Sequence, residues 1–278
     1  MKKKPKVFKI YKSSGRTEPF SKFKLLKSIK RTGLPPRECK SIAEKVTDDI
    51  GEGFKTKDIY RKTLTLLGKT SSMAAAQYSL KRSIFELGPT GHHFELYVSK
   101  YFEALNYQTK ISQTLKGKWV THEVDVLAYK GKRRFFVECK FHNRIGIKND
   151  IKVALYVKAR WDDLREGPHG RNLSGFYLVS NTAFSKDAIT YAEGTGLQLL
   201  GVNAPMDRSF LEQIKDLDLF PITSLKTLSK YVKNELLNRG IILTKDLPHH
   251  RNLLCRLGLS DDDLMRLDDE LLIFNGAV

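Results

Sequence analysis

Glu138 and Lys140 stand two residues apart in the run RRFFVECKFHN, Arg133 to Asn143. The run has the apolar density of a buried strand. Alternation sends Phe135, Val137, Cys139 and Phe141 to one face and Glu138 with Lys140 to the other. Burying an isolated carboxylate or ammonium is costly unless it is paired or bound to an ion. Asp125 lies upstream in HEVDVLAY, and a tight turn at Lys130 to Lys132 joins the two runs as a hairpin in which Asp125 faces Glu138. Glu95, in GHHFE, comes from a preceding helix. Two carboxylates on adjacent strands make a hard, oxygen-rich site suited to Mg²⁺ or Mn²⁺. Such an ion makes a water more acidic and polarises a phosphorus centre, and Lys140 is placed to orient that water or to stabilise charge developing on a phosphate. The expected metal ligands are Asp125 and Glu138, and Lys140 and Glu95 complete the catalytic set. A purely structural ion-pair cluster is the competing reading.

Four histidines, His92, His93, His122 and His142, flank these residues in sequence. The carboxylates already account for a hard metal, so the histidines read as exposed or phosphate-contacting. Tyr156 and Trp161, on the helix after the site, read as core. Lys148, Lys152, Lys158 and Arg160 read as a phosphate-positioning face, or simply a solvated one.

The elements that must position these groups alternate. A helix with Phe94, Val98, Tyr101, Phe102 and Leu105 at helical spacing is followed by the strand WVTHEVDVLAY and the Glu138 strand. Then come the helix NDIKVALYVKARWDDLREG, the strand GFYLVSN, the helix SKDAITYAEGTG and the strand LQLLGVN. A further strand is placed near TKISQTL. The order predicts a mixed sheet flanked by helices over residues 88–205. Before it, two short alternating runs around Ser13-Ser14-Gly15 predict a hairpin, and four helical patterns follow, one capped by Ser21, one opened by Pro35-Pro36 and one capped by Thr56. After it, residues 206–278 repeat a helix, glycine, apolar, helix arrangement that could form a helix-hairpin-helix-like unit. The chain is thus expected to be an α+β and α/β multidomain protein.

Charge separates these segments. Residues 1–87 carry 22 Lys and Arg against 8 Asp and Glu, whereas 205–278 carry 10 against 12, in a chain of net charge +18. The basic segments predict a polyanionic partner, nucleic acid or nucleotide. The slightly acidic tail reads better as a packing or oligomerisation element than as a DNA grip. The three cysteines are scattered and odd in number, which suits neither a zinc knuckle nor a disulfide framework and predicts a reducing cytoplasm. No apolar run follows the basic start MKKKPKVFKIYK, so a signal peptide is not expected, and nothing reaches the length of a membrane span.

The GHHFE helix, Asp125 and the ECK strand resemble the PD-(D/E)xK restriction-endonuclease superfamily in its Mrr-like branch, over roughly residues 88–204. Val124 replaces the proline that gives the motif its name. The resemblance implies divalent-metal hydrolysis of DNA phosphodiesters. Residues 5–87 resemble the ATP-cone, a nucleotide-sensing module, through VFKIYKSSGRTEPFSKFKLLKSI, KTKDIYRKTL and AQYSLKRSIFELG. That resemblance implies an ATP or dATP site using Lys12, Gly15, Glu18, Lys24, Thr56 and Tyr60. Ser13 stands where the family commonly has a second basic residue. A triphosphate needs converging cations and helix N-terminal donors, and without a Gly-rich P-loop this unit is not expected to hydrolyse it. The expected whole is a nucleotide-regulated DNA endonuclease; the alternative is a non-catalytic, nucleotide-responsive DNA-binding regulator.

Overall fold

The computed structural model describes residues 8–12, 15–144 and 146–275. Contacts divide the chain into two compact units, Met1–Ser79 and Leu80–Val278. In the first, β1 (Lys9–Tyr11) and β2 (Thr17–Pro19) pair antiparallel with Ile10 opposite Glu18. The helices α1 (Lys22–Lys30), α2 (Pro36–Asp48) and α3 (Thr56–Thr70) follow, then α4 (Ser72–Phe85), whose residues from Leu80 on belong to the second unit. Ser21 caps α1, its hydroxyl accepting from the Lys24 N–H at 3.2 Å, and so satisfies one of the amides that a helix start leaves unpaired. Pro36 opens α2, where a missing N–H removes nothing. Thr56 is not the cap of α3: Lys55 holds that position, and the Thr56 hydroxyl instead donates to the Tyr11 carbonyl at 2.7 Å. Helical spacing on α1, α2 and α3 gathers Leu25, Ile29, Ile42, Val46, Ile59 and Leu67 with Ile10 into one core. Ser13 and Ser14 of the expected turn lie outside the described residues.

After the end of α4, the second unit runs through α5 (His92–Ala104) and the strands β3 (Gln108–Lys116), β4 (Thr121–Lys130), β5 (Arg133–Lys140) and β6 (Lys148–Asn149). It continues with α6 (Ile151–Glu166), β7 (Leu173–Ser180), β8 (Ala183–Phe184), α7 (Lys186–Thr195) and β9 (Gln198–Leu200). The sheet order is β3-β4-β5-β7-β9, while β6 and β8 form a separate short pair. The pairs β3/β4 and β4/β5 are antiparallel, and β5/β7 and β7/β9 are parallel, as helical crossovers require. This is the mixed sheet flanked by helices, and β3 is the further strand near TKISQTL. Trp119 and Val120, read from sequence as the start of a strand, lie in the turn between β3 and β4. The β4–β5 turn closes on Lys130 opposite Arg133, with Gly131 at φ +61°, a conformation that glycine adopts without steric cost.

Both faces of the sheet are covered. Phe136, Leu178 and Phe176 pack with Val157, Trp161 and Leu164 of α6 and Ala188 and Ala192 of α7, and Trp161 stacks on Phe176 at 4.6 Å between centroids. On α5, Phe102 meets Tyr177 edge-on. The C-terminal helices α8 (Phe210–Asp216), α9 (Lys230–Asn238), α10 (Arg251–Arg256) and α11 (Asp261–Asn275) belong to this unit. The Tyr97 hydroxyl of α5 donates to the Leu219 carbonyl at 2.6 Å, and the Thr223 hydroxyl donates to the Ser83 carbonyl. Gly240 and Gly258, just past the ends of α9 and α10, have positive φ, which realises the helix-glycine punctuation seen in the sequence. No helix among the described residues is long and apolar enough to cross a membrane.

Candidate active site

The site forms where β4 and β5 run past their last ladder pair, Val126 with Val137. There the Cys139 N–H donates to Asp125 Oδ2 at 2.7 Å, so a carboxylate takes over from the backbone ladder and is fixed in place. Glu138 is 17% exposed and ion-pairs with Arg160 of α6. The other Arg160 nitrogen donates to the Glu123 carbonyl. Its guanidinium lies 5.3 Å from the Phe136 ring centroid and 5.4 Å from that of Tyr156, a geometry that favours a cation on the ring faces. Lys140 ends β5 and is exposed. Glu95, in the first turn of α5, sits beside His92 at 3.7 Å.

These acids crowd one another. Burial, then the Asp125 charge, pushes Glu138 up to about 7, with Arg160 and Lys140 pulling the other way. Burial, then Asp125 and Glu123, pushes Glu95 up to about 7. Asp125 is raised as well, first by burial, although the Cys139 N–H, Arg160 and Lys140 oppose this. Burial raises the Cys139 thiol, and the three carboxyls raise it further, so it is no nucleophile at neutral pH. Four carboxyl groups face two cations. That imbalance, made of oxygen donors, is what a hard divalent cation relieves. Among the described residues no three His, Cys, Asp or Glu side chains stand ready as a metal cluster; the site offers the Asp125 and Glu138 pair.

Apart from His92 beside Glu95, the histidines are engaged elsewhere. His93 Nδ1 lies 3.1 Å from the Leu87 carbonyl, His122 Nε2 lies 2.8 Å from Asp163, and His142 Nε2 lies 2.8 Å from Asn149 Oδ1. Trp161 is core, as expected. Tyr156 is not: it is 59% exposed, because it stands on the outer side of α6. The basic face expected along α6 is also broken. Arg160 is buried on Glu138, and Lys158 pairs with Asp162 at 2.6 Å.

In the first unit, Glu18 joins Lys12 at 2.8 Å and lies 3.9 Å from Lys24, and its pKa is lowered chiefly by the Lys12 bond. Gly15 turns at φ +80° with open space around it. Thr56 ties α3 to β1, while the Tyr60 ring stacks on Tyr78 at 5.4 Å among the helices. Lys12, Glu18 and Lys24 are therefore together, whereas Tyr60 packs against a helix.

Residues 88–204 match the Mrr catalytic-domain family, described as restriction endonuclease, and residues 220–271 match the family described as AF1548-like, C-terminal. An uncharacterized protein of Archaeoglobus fulgidus is 31% identical over 150 residues, covering 54% of this chain and 83% of its own. The chain belongs to the family of that archaeal protein. A crystal structure titled as the protein of unknown function AF1548 superposes with a TM-score of 0.56 at 27% identity, over 68% of this chain and all of its own. MspJI restriction endonuclease in complex with a 27-mer oligonucleotide overlaps at a TM-score of 0.36 and 15% identity, over 60% of this chain and 36% of its own, an overlap too loose to bear on the fold.

Arg160 is the site residue that sequence reasoning missed as such. Lys148, Lys152, Lys158 and Arg160 look alike as a run of basic residues, although Lys148 lies on β6 and the other three on α6. The available signal was helical spacing: Arg160 falls with Val157, Trp161 and Leu164 on the side of α6 that faces the core.

Proposed function

We propose that this chain is a cytoplasmic, divalent-metal-dependent DNA endonuclease whose site is Asp125, Glu138, Lys140 and Glu95. The observation that carries this reading is the pairing of Asp125 and Glu138 with Lys140 at the end of the β4–β5 ladder, with Glu95 close enough to feel the Asp125 charge, inside the segment that matches a restriction-endonuclease family. Asp125 and Glu138 would hold Mg²⁺ or Mn²⁺. Bound there, the ion supplies Lewis-acid polarisation of a phosphodiester and a more acidic water. Lys140, at the exposed end of β5, neutralises charge developing on the scissile phosphate and orients the attacking water. Glu95, near neutral in pKa, accepts or returns a proton close to working pH. The basic surface supplies phosphate contacts that position the duplex.

The same proposal gives the N-terminal region, 1–87, an ATP-cone-like role. Lys12 and Lys24 converge on Glu18, and both would turn to a triphosphate, with Gly15, Thr56 and Tyr60 completing an ATP or dATP site that tunes cleavage. One observation favours a second reading. Arg160 already pairs with Glu138, and a site satisfied by its own arginine could grip DNA without cutting. Incubating duplex DNA with the protein in Mg²⁺ and in EDTA separates the two: cutting in Mg²⁺ alone supports the enzyme, and binding without cutting in either supports the regulator.

A further inference from the structure

Trp119 is 79% exposed and its neighbour Val120 is 58% exposed. An indole in water is an unfavourable surface unless something covers it. The turn that carries it is built, not loose. The Trp119 N–H donates to Asp163 Oδ1 at 2.8 Å, the Val120 N–H donates to Asp163 Oδ2 at 3.3 Å, and the Lys118 N–H donates to the Asp163 carbonyl at 2.9 Å. His122 holds the same carboxylate at 2.8 Å, and the Gly117 N–H closes the turn on the Val120 carbonyl. Two glycines make this possible. A Cβ on Gly167 would come within 2.6 Å of the Gly117 backbone, and one on Gly117 would collide with Asp163. Backbone meets backbone there, which holds the main chain of the turn in place.

Two lysines, Lys116 and Lys118, stand beside it. Lys118 Nζ lies 4.8 Å from the Trp119 ring centroid and pairs with Glu166 at 2.6 Å. A shallow groove beside the turn is walled by Lys116, Lys118, Glu166 and Pro168. On edge strand β3 the exposed residues are Gln108, Lys110, Ser112, Thr114 and Lys116, all polar or basic. The turn also stands at the site's end of the sheet. Thr121 opens β4, and at roughly 3.3 Å per residue Asp125 is about 13 Å further on. One helix joins the two places. Arg160 touches Glu138, and Asp163, one turn later on α6, grips the Trp119 turn.

We infer that Trp119 is a stacking platform for an unpaired nucleobase of the DNA substrate, with Lys116 and Lys118 on the adjoining phosphates. This rests on the nuclease reading for its choice of partner. Bases inside a duplex hide their faces, whereas a gap, flap or splayed end offers one, and an aromatic ring beside a basic groove is how proteins hold single-stranded nucleic acid. The platform therefore selects DNA with unpaired nucleotides about four steps from the bond to be cut, at ~3.4 Å per stacked base.

The experiment uses the full chain in EDTA, so that binding is read without cleavage, at one fixed salt concentration. The probes are a blunt duplex and the same duplex with a short single-stranded gap. Trp161 is buried, so acrylamide quenching of tryptophan emission reports Trp119, and Trp119→Phe identifies that component. Saturating gapped DNA is expected to shield Trp119. Trp119→Ala should weaken gapped-duplex binding about ten- to one-hundred-fold, Trp119→Phe should keep most of it, and blunt-duplex binding should change far less. Melting curves confirm that the variants fold. Equal binding by Trp119→Ala and the parent overturns the platform, even in a protein that cuts in Mg²⁺. An indole still open to acrylamide at saturation also overturns it and leaves that surface to a protein partner. Binding through Trp119 without cleavage in Mg²⁺ supports the platform and removes the catalytic reading, whereas no DNA binding at all overturns the platform.

Discussion

Raising the pH of the metal-free protein is expected to loosen the unit that carries the site. Glu138 titrates at about 7 in the folded chain against an ordinary 4.5, with burial the larger cause and the Asp125 charge the next. Glu95 is raised to a similar value. An acid raised on folding makes the folded protein hold more protons than the unfolded one between the two pKa values. The share of stability that this carboxyl supplies is then greatest below 4.5, falls as the pH climbs toward 7, and levels off above. One carboxyl moved that far weighs on the order of 3 kcal/mol. Asp125 raises both Glu95 and Glu138, so their contributions are not independent and are not summed. The assay is urea unfolding in EDTA at the two ends of the window, followed by the emission of Trp161, which is buried in this unit's core. Glu138→Gln keeps the shape and carries no titrating proton. The parent is expected to lose about 3 kcal/mol more than this variant across the window. Mg²⁺ should restore the parent at neutral pH and do little at pH 4.5, where protons already satisfy the carboxyls. Equal losses in parent and variant would refute the crowding argument, and equal Mg²⁺ stabilisation at both ends would place the ion elsewhere.

Arg160→Met should leave Glu138 buried without its cation and destabilise the metal-free protein by about 3–5 kcal/mol; urea unfolding should show part of this recovered when Mg²⁺ is added. Lys12→Ala and Lys24→Ala should each remove the rise in melting temperature that ATP or dATP gives the parent, because each takes a phosphate partner away; calorimetry reads this directly. Nucleotide recovered intact after incubation would agree with a sensing role, and turnover would contradict it.

Much of the fold was legible because period decides it. Helical spacing on α5 and α6 and the apolar runs of β5 and β7 leave little choice about the element, and glycines past α9 and α10 mark their ends. The acid set was legible for a different reason: charged residues inside an apolar strand demand an account wherever they occur. Arg160 was not, because its partner Glu138 lies 22 positions away and only the packing of α6 on the sheet brings them together. Trp119 misled for a related reason. An aromatic followed by Val120 has strand chemistry, and only Asp163, far along the chain, converts that dipeptide into a turn. Thr56 has the residue type of a cap, yet the closeness of β1 offers its hydroxyl a better partner in the Tyr11 carbonyl.

The central claim is metal-dependent chemistry at Asp125, Glu138 and Lys140. It is tested most directly by the rate at which duplex DNA is cut in Mg²⁺ by the parent, by Glu138→Gln and by Lys140→Ala, with EDTA as the control and unfolding curves to show that each variant is native. The account predicts cutting by the parent only when metal is present, and a loss of roughly a hundred-fold or more in each variant. Variants that cut as fast as the parent, or a parent that cuts equally well in EDTA, would contradict it.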